Sequence, residues 1–387
     1  MLSRIVWLIV ALILLPDMYI YFRYVRRFRL LSPLRYCLIS SVSVVMLFFA
    51  VFLALQPGFA PRDASMLFLF LFLFGIFIVP KAVFALFSSA GSLFSHRRPI
   101  TLLNFHIPLI LALASLAAVI YGSTLGIRKI EVHHETFASG DLPEEFDGYR
   151  VLLFSDAHVG SFVGWQRSAL DVFVDTIQAQ QADAIDFAGD LQNMHPEDLL
   201  RVGETLRRIQ APDGVYSVLG NHDYATYLGE SEQQKRICEE LTRQFQRSLG
   251  WHLLLNENAA IRRGADSIVV AGMENDGKKP FPSRGDIRKT LLGVSDSAFV
   301  VMLQHDPTSW RRTILPQSRA QLTLSGHTHG GQVSLFGFSP VSLVYKEWGG
   351  RYNHGSRMLY VSTGISGFVP FRLGLPAEVT VITLKRK

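Results

Sequence analysis

The sequence predicts an N-terminal region of four transmembrane helices followed by one large α/β domain, and three features of its 387 residues carry that prediction. Four apolar runs fill the first 121 residues. From Arg150 onward the pattern changes to short β-branched runs alternating with amphipathic stretches. Charge divides at the same place: residues 1–130 hold 12 Lys and Arg against two acidic residues, net +10, and the remainder holds 26 against 30, net −4. The expected boundaries are 1–128 for the membrane region, 129–148 for a connector and 149–387 for the domain.

The apolar runs cover 4–22, 36–55, 64–87 and 100–121, each close to the ~20 residues a helix needs to cross ~30 Å of hydrocarbon. Stretches such as Met66 to Val79 offer no polar face to water, which argues against buried core helices. Four successive runs also exclude a cleaved signal peptide, which has a single short apolar core. Pro16-Asp17 interrupts the first run, so lying in the interface is the alternative for that run alone.

Orientation follows from the arginines. The first connection carries Arg23, Arg26, Arg27, Arg29 and Arg35 without an acidic residue, and the third carries Arg97 and Arg98, with Lys81 able to snorkel toward them. Arg62 is offset by Asp63, and only Arg128 and Lys129 follow the fourth run. The positive-inside rule places the first and third connections in the cytoplasm of a cell (inner) membrane, hence everything after Tyr121 outside. That conclusion rests on the second to fourth helices. A net charge of +6 and a pI near 9.3 would otherwise suggest nucleic acid. Here the basic excess flanks apolar runs, so the expected partner is the lipid bilayer and not nucleic acid. Cys37 and Cys238 provide neither a disulfide framework nor a thiolate metal cage.

In the second part, 151–155, 184–188, 215–219, 268–272, 299–303, 322–325, 358–361 and 379–384 read as strands. Residues 166–180 and 197–209 read as amphipathic helices. Most of these strands end in metal-ligand residue types. They are Ser155-Asp156-Ala157-His158, Gly189-Asp190, Gly220-Asn221-His222-Asp223, His305-Asp306 and Gly326-His327-Thr328-His329. Strand ends of an α/β sheet are where loops turn side chains toward a shared crevice.

The ordered series resembles the signature of the calcineurin-like metallophosphoesterases, over about Tyr149 to Gln332. Ser362-Thr363-Gly364 with Pro370, Arg372 and Pro376 is similar to the C-terminal part of the membrane-anchored bacterial branch. The resemblance implies an αββα sandwich and two divalent metal ions. One would be held by Asp156, His158, Asp190 and His329, the second by Asp190, Asn221, His305 and His327, with Asp190 bridging. Imidazole nitrogen with carboxylate or amide oxygen suits manganese, iron or zinc. His222 takes from the resemblance the role of general acid or phosphate contact. The family often has Asp three residues after the bridging Asp, to orient and charge that histidine, and here the position is Asn193. An amide oxygen can still accept a ring N–H but lacks the charge that raises an imidazole pKa, so His222 is expected to be a weaker acid catalyst, protonated in a smaller fraction at neutral pH, that favours good leaving groups.

Asp223 and Asp306 are expected to cap turns or fix the neighbouring histidines. Arg372 is a candidate contact for a substrate phosphate, with a surface salt bridge as the alternative. Phe162, Trp165, Trp348 and Phe368 lie in loops that either border the crevice or pack in the core, and His96 and His106 belong to the membrane region. These residues predict a membrane-anchored phosphodiesterase or pyrophosphatase that hydrolyses P–O bonds of a lipid-linked or envelope substrate by metal-activated water. Two alternatives stand beside it: a cytoplasmic-facing pyrophosphohydrolase of the UDP-diacylglucosamine type, which is similar in sequence, and a non-catalytic envelope scaffold that only binds metal.

Overall fold

The computed structural model describes residues 2–28, 32–56, 64–94, 100–162 and 166–387. It divides into two compact units, Met1–Leu125 and Gly126–Lys387. Arg29, Trp165, Arg62, Asp63, His96, Arg97 and Arg98 lie outside the described residues.

Among the described residues of the first unit, four stretches are long and apolar enough to cross a membrane: Val6–Val25, Leu34–Ala54, Ala64–Leu93 and Leu102–Arg128. Ser32 caps the second by accepting from the Arg35 N–H at 3.3 Å, with Pro33 in the first helical turn where no amide partner is lost. Trp7, Phe48, Leu86 and Leu113 point their side chains outward, as apolar solvent would favour. Polar groups face inward and pair. Tyr24 Oη donates to the Asn104 carbonyl at 2.5 Å and lies 2.6 Å from Ser88 Oγ. Lys81 corrects an expectation: instead of snorkelling toward a basic connection, its Nζ donates to Asp17 Oδ1 at 2.8 Å and to Ser43 Oγ at 2.5 Å. Pairing with a carboxylate relieves the cost of a charge inside an apolar bundle.

The second unit is built on two six-stranded sheets. The first has the order β1 (Ile130–Ser139), β12 (Ala377–Arg386), β2 (Arg150–Phe154), β3 (Ala184–Phe187), β4 (Val215–Ser217) and β5 (His252–Leu253). The second has the order β10 (Gly350–His354), β11 (Arg357–Val361), β9 (Leu322–Ser325), β8 (Phe299–Leu303), β7 (Asp266–Gly272) and β6 (Glu257–Arg263). Period-2 alternation sorts each strand between two cores. Val151 and Leu153 join Ile268, Val270, Val301 and Leu324 between the sheets. Leu152 and Phe154 join Leu170, Phe173 and Ile177 of the helix Arg167–Ala179 on the outer side of the first sheet. Val269, Val300, Met302 and Leu359 pack with Trp310 and Ile314 on the outer side of the second. Four layers result, an αββα sandwich.

Residues 130–139, expected to lie in a connector, form β1 and pair in parallel with β12 over their whole length. β5, β6 and β10 also went unread in the sequence. Strands β2, β3 and β4 run parallel to one another, as do β7, β8, β9 and β11. Their C-terminal ends carry every ligand motif, so both sheets deliver side chains to one rim.

Candidate metal centre

The loops at that rim take a shape that few residues adopt. Asp156, His158, Asp190, His327 and His329 all have positive φ, from 38° to 77°. Asp and His tolerate the left-handed region better than branched residues do, at a cost the surrounding contacts must cover. Two glycines make room: a Cβ at Gly220 would collide with the Asp190 carboxylate, and one at Gly326 with that of Asp156. Asp223 ties two loops together. Its carboxylate accepts from the backbone N–H groups of Asp190, Leu191, Gln192 and Gly220 at 2.9 to 3.2 Å. Burial, with the Asp190 charge, still pushes the Asp223 pKa up to about 7. Asp306 closes its own turn by accepting from the Thr308 N–H at 2.8 Å.

The seven ligand candidates come together in two groups that share Asp190. Ligand atoms of Asp156, His158, Asp190 and His329 all lie within 4.8 Å of one another. His158 is fully buried, and neither ring nitrogen has a hydrogen-bond partner. Its Nε2 lies 3.6 Å from Asp190 Oδ2. Burial, then the neighbouring His222, holds the His158 pKa well below the usual value, so the lone pair stays available. His329 Nε2 stands 3.6 Å from Asp156 Oδ1, and burial lowers its pKa also. The His327 N–H donates to both Asp156 oxygens at 3.1 and 3.0 Å, which locks that carboxylate in place.

In the second group, His305 Nε2 lies 3.1 Å from Asp190 Oδ2 and 3.1 Å from Asn221 Oδ1, and His327 Nδ1 lies 2.7 Å from the same Asn221 oxygen. The donors are already committed elsewhere. Asn221 Nδ2 donates to Tyr227 Oη at 2.9 Å, and His305 Nδ1 faces the Ala188 carbonyl at 2.7 Å, a bond only an N–H there can make. A neutral His305 therefore points a lone pair at two oxygen acceptors. Either a cation between them or a second proton on His305 reconciles the group, and the residues present fit a divalent metal. Without one, a proton takes that part. Burial alone would lower the His305 pKa, but the Asp190 charge and hydrogen bond outweigh it and raise it to about 10. Burial likewise resists the Asp190 charge, yet the His305 and His222 rings hold its pKa well below the carboxylate range. His327 is pulled down to about 4 by burial.

His222 stands beside the shared carboxylate, its backbone N–H donating to Asp190 Oδ1 at 2.8 Å. Its ring lies between Tyr227 (centroids 4.8 Å) and Phe368 (5.6 Å, interplanar 27°), with the His158 ring 4.8 Å away edge-on. Nδ1 meets the backbone carbonyl of Asn193 at 2.5 Å. This departs from the expectation that the Asn193 amide takes that ring nitrogen: the amide turns away, and Nδ2 donates to Ser161 Oγ at 2.9 Å. The main chain of the Asp190 loop already delivers an acceptor to the ring.

Arg372 requires a larger correction. It is 1% exposed, and its guanidinium donates to the carbonyls of Thr363, Gly364, Ser366 and Pro376 at 2.6 to 3.0 Å. It is neither a substrate contact nor a surface ion pair; it pins the loop after β11 against Asp156. Burial pulls its pKa down to about 10. Phe162 packs on Phe173 in the core, whereas Phe368 borders the site. His133, His134, His252 and His354 sit exposed on β1, β5 and β10, away from the cluster.

Three site neighbours were not singled out in the sequence. Tyr227 holds Asn221 and flanks His222. Tyr345 Oη lies 3.0 Å from His327 Nε2, and the Phe281 ring meets His327 edge-on at 4.6 Å. Aromatic residues in loops give no periodic signal, so nothing in their spacing marks them.

The Calcineurin-like phosphoesterase family matches residues 149–331. A Danio rerio protein described as a transmembrane protein with metallophosphoesterase domain is 30% identical over 254 residues, 63% of this chain and 55% of its own length. Uncharacterized metallophosphoesterases of Bacillus subtilis (29% over 276 residues, 68% of this chain and 89% of the relative) and Aquifex aeolicus (26% over 262 residues, 67% and 93%) are also similar. The chain spans about half the length of the vertebrate relatives it matches. Relatives come from animals as well as bacteria, so the likeness is not confined to a bacterial branch.

Proposed function

We propose, on the match of residues 149–331 to the Calcineurin-like phosphoesterase family, that the chain is a membrane-anchored phosphoesterase of that family with two divalent metal ions. The observation that carries the reading is fully buried His158, both ring nitrogens free of hydrogen bonds, in a cluster with Asp156, Asp190 and His329 whose ligand atoms lie within 4.8 Å of one another. Asp156, His158, Asp190 and His329 would hold one ion, and Asp190, Asn221, His305 and His327 the other. Bound there, two ions supply an activated water and neutralise the oxygens of a phosphoryl group. The nitrogen and oxygen donors suit manganese, iron or zinc.

The protein's own part is positioning and proton delivery. His222 has Nδ1 engaged by the Asn193 carbonyl and its ring flanked by Tyr227 and Phe368. Nε2 is thereby left to give a proton to the departing oxygen. The acceptor at Nδ1 is a neutral carbonyl and not a carboxylate, and the reading extends to substrates with good leaving groups, such as pyrophosphates or activated diesters. Two carboxylates among the ligands leave two divalent ions with net positive charge, suited to an anionic phosphoester.

The apolar helices of the same chain favour a lipid-linked or envelope substrate. Arg23, Arg26, Arg27 and Arg35 around the first connection support a domain on the extracytoplasmic face of the cell membrane. Metal-dependent turnover of bis-p-nitrophenyl phosphate by the purified full chain, lost in Asp190→Ala and His222→Ala, is the expected result. A well-folded, metal-loaded wild type that turns over no phosphoester would leave a metal-binding scaffold instead. A reporter active only outside the cytoplasm, fused after Lys387, should be active; silence there would return the site to the cytoplasm and to nucleotide-linked lipids.

A further inference from the structure

The segment after the Gly-His-Thr-His motif carries apolar side chains that the domain does not cover. Leu335, Phe336, Phe338, Leu343 and Val344 are each between 53% and 108% exposed. They occur within ten residues, and none of the 40 residues from Pro307 to Lys346 is acidic. Scattered single apolar residues on a surface need no explanation, but a contiguous group does.

The backbone makes the point sharper. Leu335 and Phe338 exchange backbone hydrogen bonds at 2.9 and 3.0 Å around a two-residue turn. Phe336 and Gly337 between them have φ of 54° and 80°. Such a turn prefers Asn-Gly, because both central residues must enter the left-handed region. A phenylalanine is disfavoured there by its backbone, and its ring, fully exposed, gains nothing from packing. Neither local preference nor the core accounts for it.

The arm is held, not loose. Ser339 Oγ donates to the Gly330 carbonyl at 2.6 Å, the Ser334 N–H to the Leu373 carbonyl at 2.8 Å, and the Leu373 N–H to the Gln332 carbonyl at 2.9 Å. It starts six residues after His329, and its last residue precedes Tyr345, whose Oη lies 3.0 Å from His327 Nε2. The apolar tip is thus fixed to both ends of the site's own loop.

We propose that the 335–344 arm inserts into the lipid bilayer surface and seats the metal centre where it takes phosphoesters from the membrane. The occupant follows from the chain itself. The last membrane-spanning stretch ends at Arg128 and β1 starts at Ile130, so the covalent tether keeps the domain at a bilayer. The arm lacks the acidic residues a lipid surface would repel, and exposed Lys346 follows it. This rests on the reading of the site as a phosphoesterase with membrane-resident substrates.

The test uses the full chain, with Cys37→Ser and Cys238→Ala, in vesicles of phosphatidylethanolamine and phosphatidylglycerol. An environment-sensitive fluorophore is attached at Phe336→Cys, with Leu292→Cys as the water-facing control. Blue-shifted emission at 336, quenched by acyl-brominated lipid, is expected, with neither effect at 292. Water-like emission at 336 overturns the proposal, and so does a shift that ignores brominated lipid and grows with protein density, which would mean a second copy covers the arm. The triple variant Phe336→Ser, Leu343→Ser, Val344→Ser should lose roughly tenfold in turnover of a vesicle-resident phosphodiester while hydrolysing bis-p-nitrophenyl phosphate like wild type. Equal loss on both substrates counts against the arm. A wild type that cleaves only the soluble ester overturns the lipid-substrate reading, and quenching at 336 still decides the bilayer contact.

Discussion

Strand β3 runs from the middle of the sandwich to its rim and brings a buried carboxylate to each place. Asp186 lies between Leu153 and Tyr216 in the first sheet, fully buried, with no hydrogen-bond partner for either oxygen. Burial pushes its pKa up to about 8. Asp190, just past the strand end, is buried as deeply, yet it accepts from the His222 N–H and faces His158 and His305. The histidines hold it ionised against that burial. Depth is the same in both; partners decide whether a carboxylate is a neutral passenger or a charged ligand.

The largest expected effect comes from breaking the rim. Asp190→Ala removes the oxygen shared by both ligand groups and should cost at least about 10³-fold in turnover, or ~4 kcal/mol of transition-state stabilisation. Metal content measured by mass spectrometry should fall with it. Full turnover with unchanged metal would show that Asp190 is as idle as Asp186. His222→Ala comes next, at about 10²-fold, with metal content retained, since the ring stands beside the ligands and not among them. Its loss should weigh more on an ester with a poor leaving group than on p-nitrophenol, a ratio read from paired kcat values.

Breaking the interior has a milder, pH-dependent result. Asp186 keeps in the folded state a proton that the unfolded chain releases near the ordinary value of 3.8. Stability is therefore fully present below about pH 4 and is lost as pH rises toward about 8, by at most roughly 1.4 kcal/mol per unit across that window. Asp186→Asn cannot ionise. The melting temperature of the full chain in detergent should fall less steeply between pH 5 and 8 than that of wild type, and should exceed it at pH 9. Parallel slopes would mean that Asp186 is ionised in the fold after all.

The contrast between interior and rim also governs how much could be read from the residues. The eight strands recognisable as apolar runs occupy the sheet interiors, buried on both faces. The four that escaped, β1, β5, β6 and β10, are the four sheet edges. An edge strand such as Ile130–Ser139 carries Glu131, His133 and His134 toward water and loses the apolar signature. At the rim, residue type and order were enough to find the ligand candidates, because few side chains offer lone pairs to a metal. What stayed hidden was supporting geometry. The positive φ of Asp156 and His158 leaves no mark in composition, and buried Arg372 looks like any arginine until its two terminal nitrogens are seen donating to four carbonyls.

The smallest expected effect tests whether a further carboxylate at the rim would act as Asp190 does or stay as uninvolved as Asp186. Asn193→Asp supplies an acid at the position where the family often has one. In this fold the Asn193 side chain points to Ser161, and the His222 ring is already engaged by the backbone carbonyl of the same residue. The new carboxylate should accept from the Ser161 hydroxyl and exert only a through-space pull on the imidazole. The ratio of kcat on poor and good leaving groups should then stay within about threefold of wild type. A larger change, toward faster release of poor leaving groups, would mean that the carboxylate has displaced the carbonyl from Nδ1. Proximity alone would then be insufficient at this rim, and direct contact would be the condition for a carboxylate to matter.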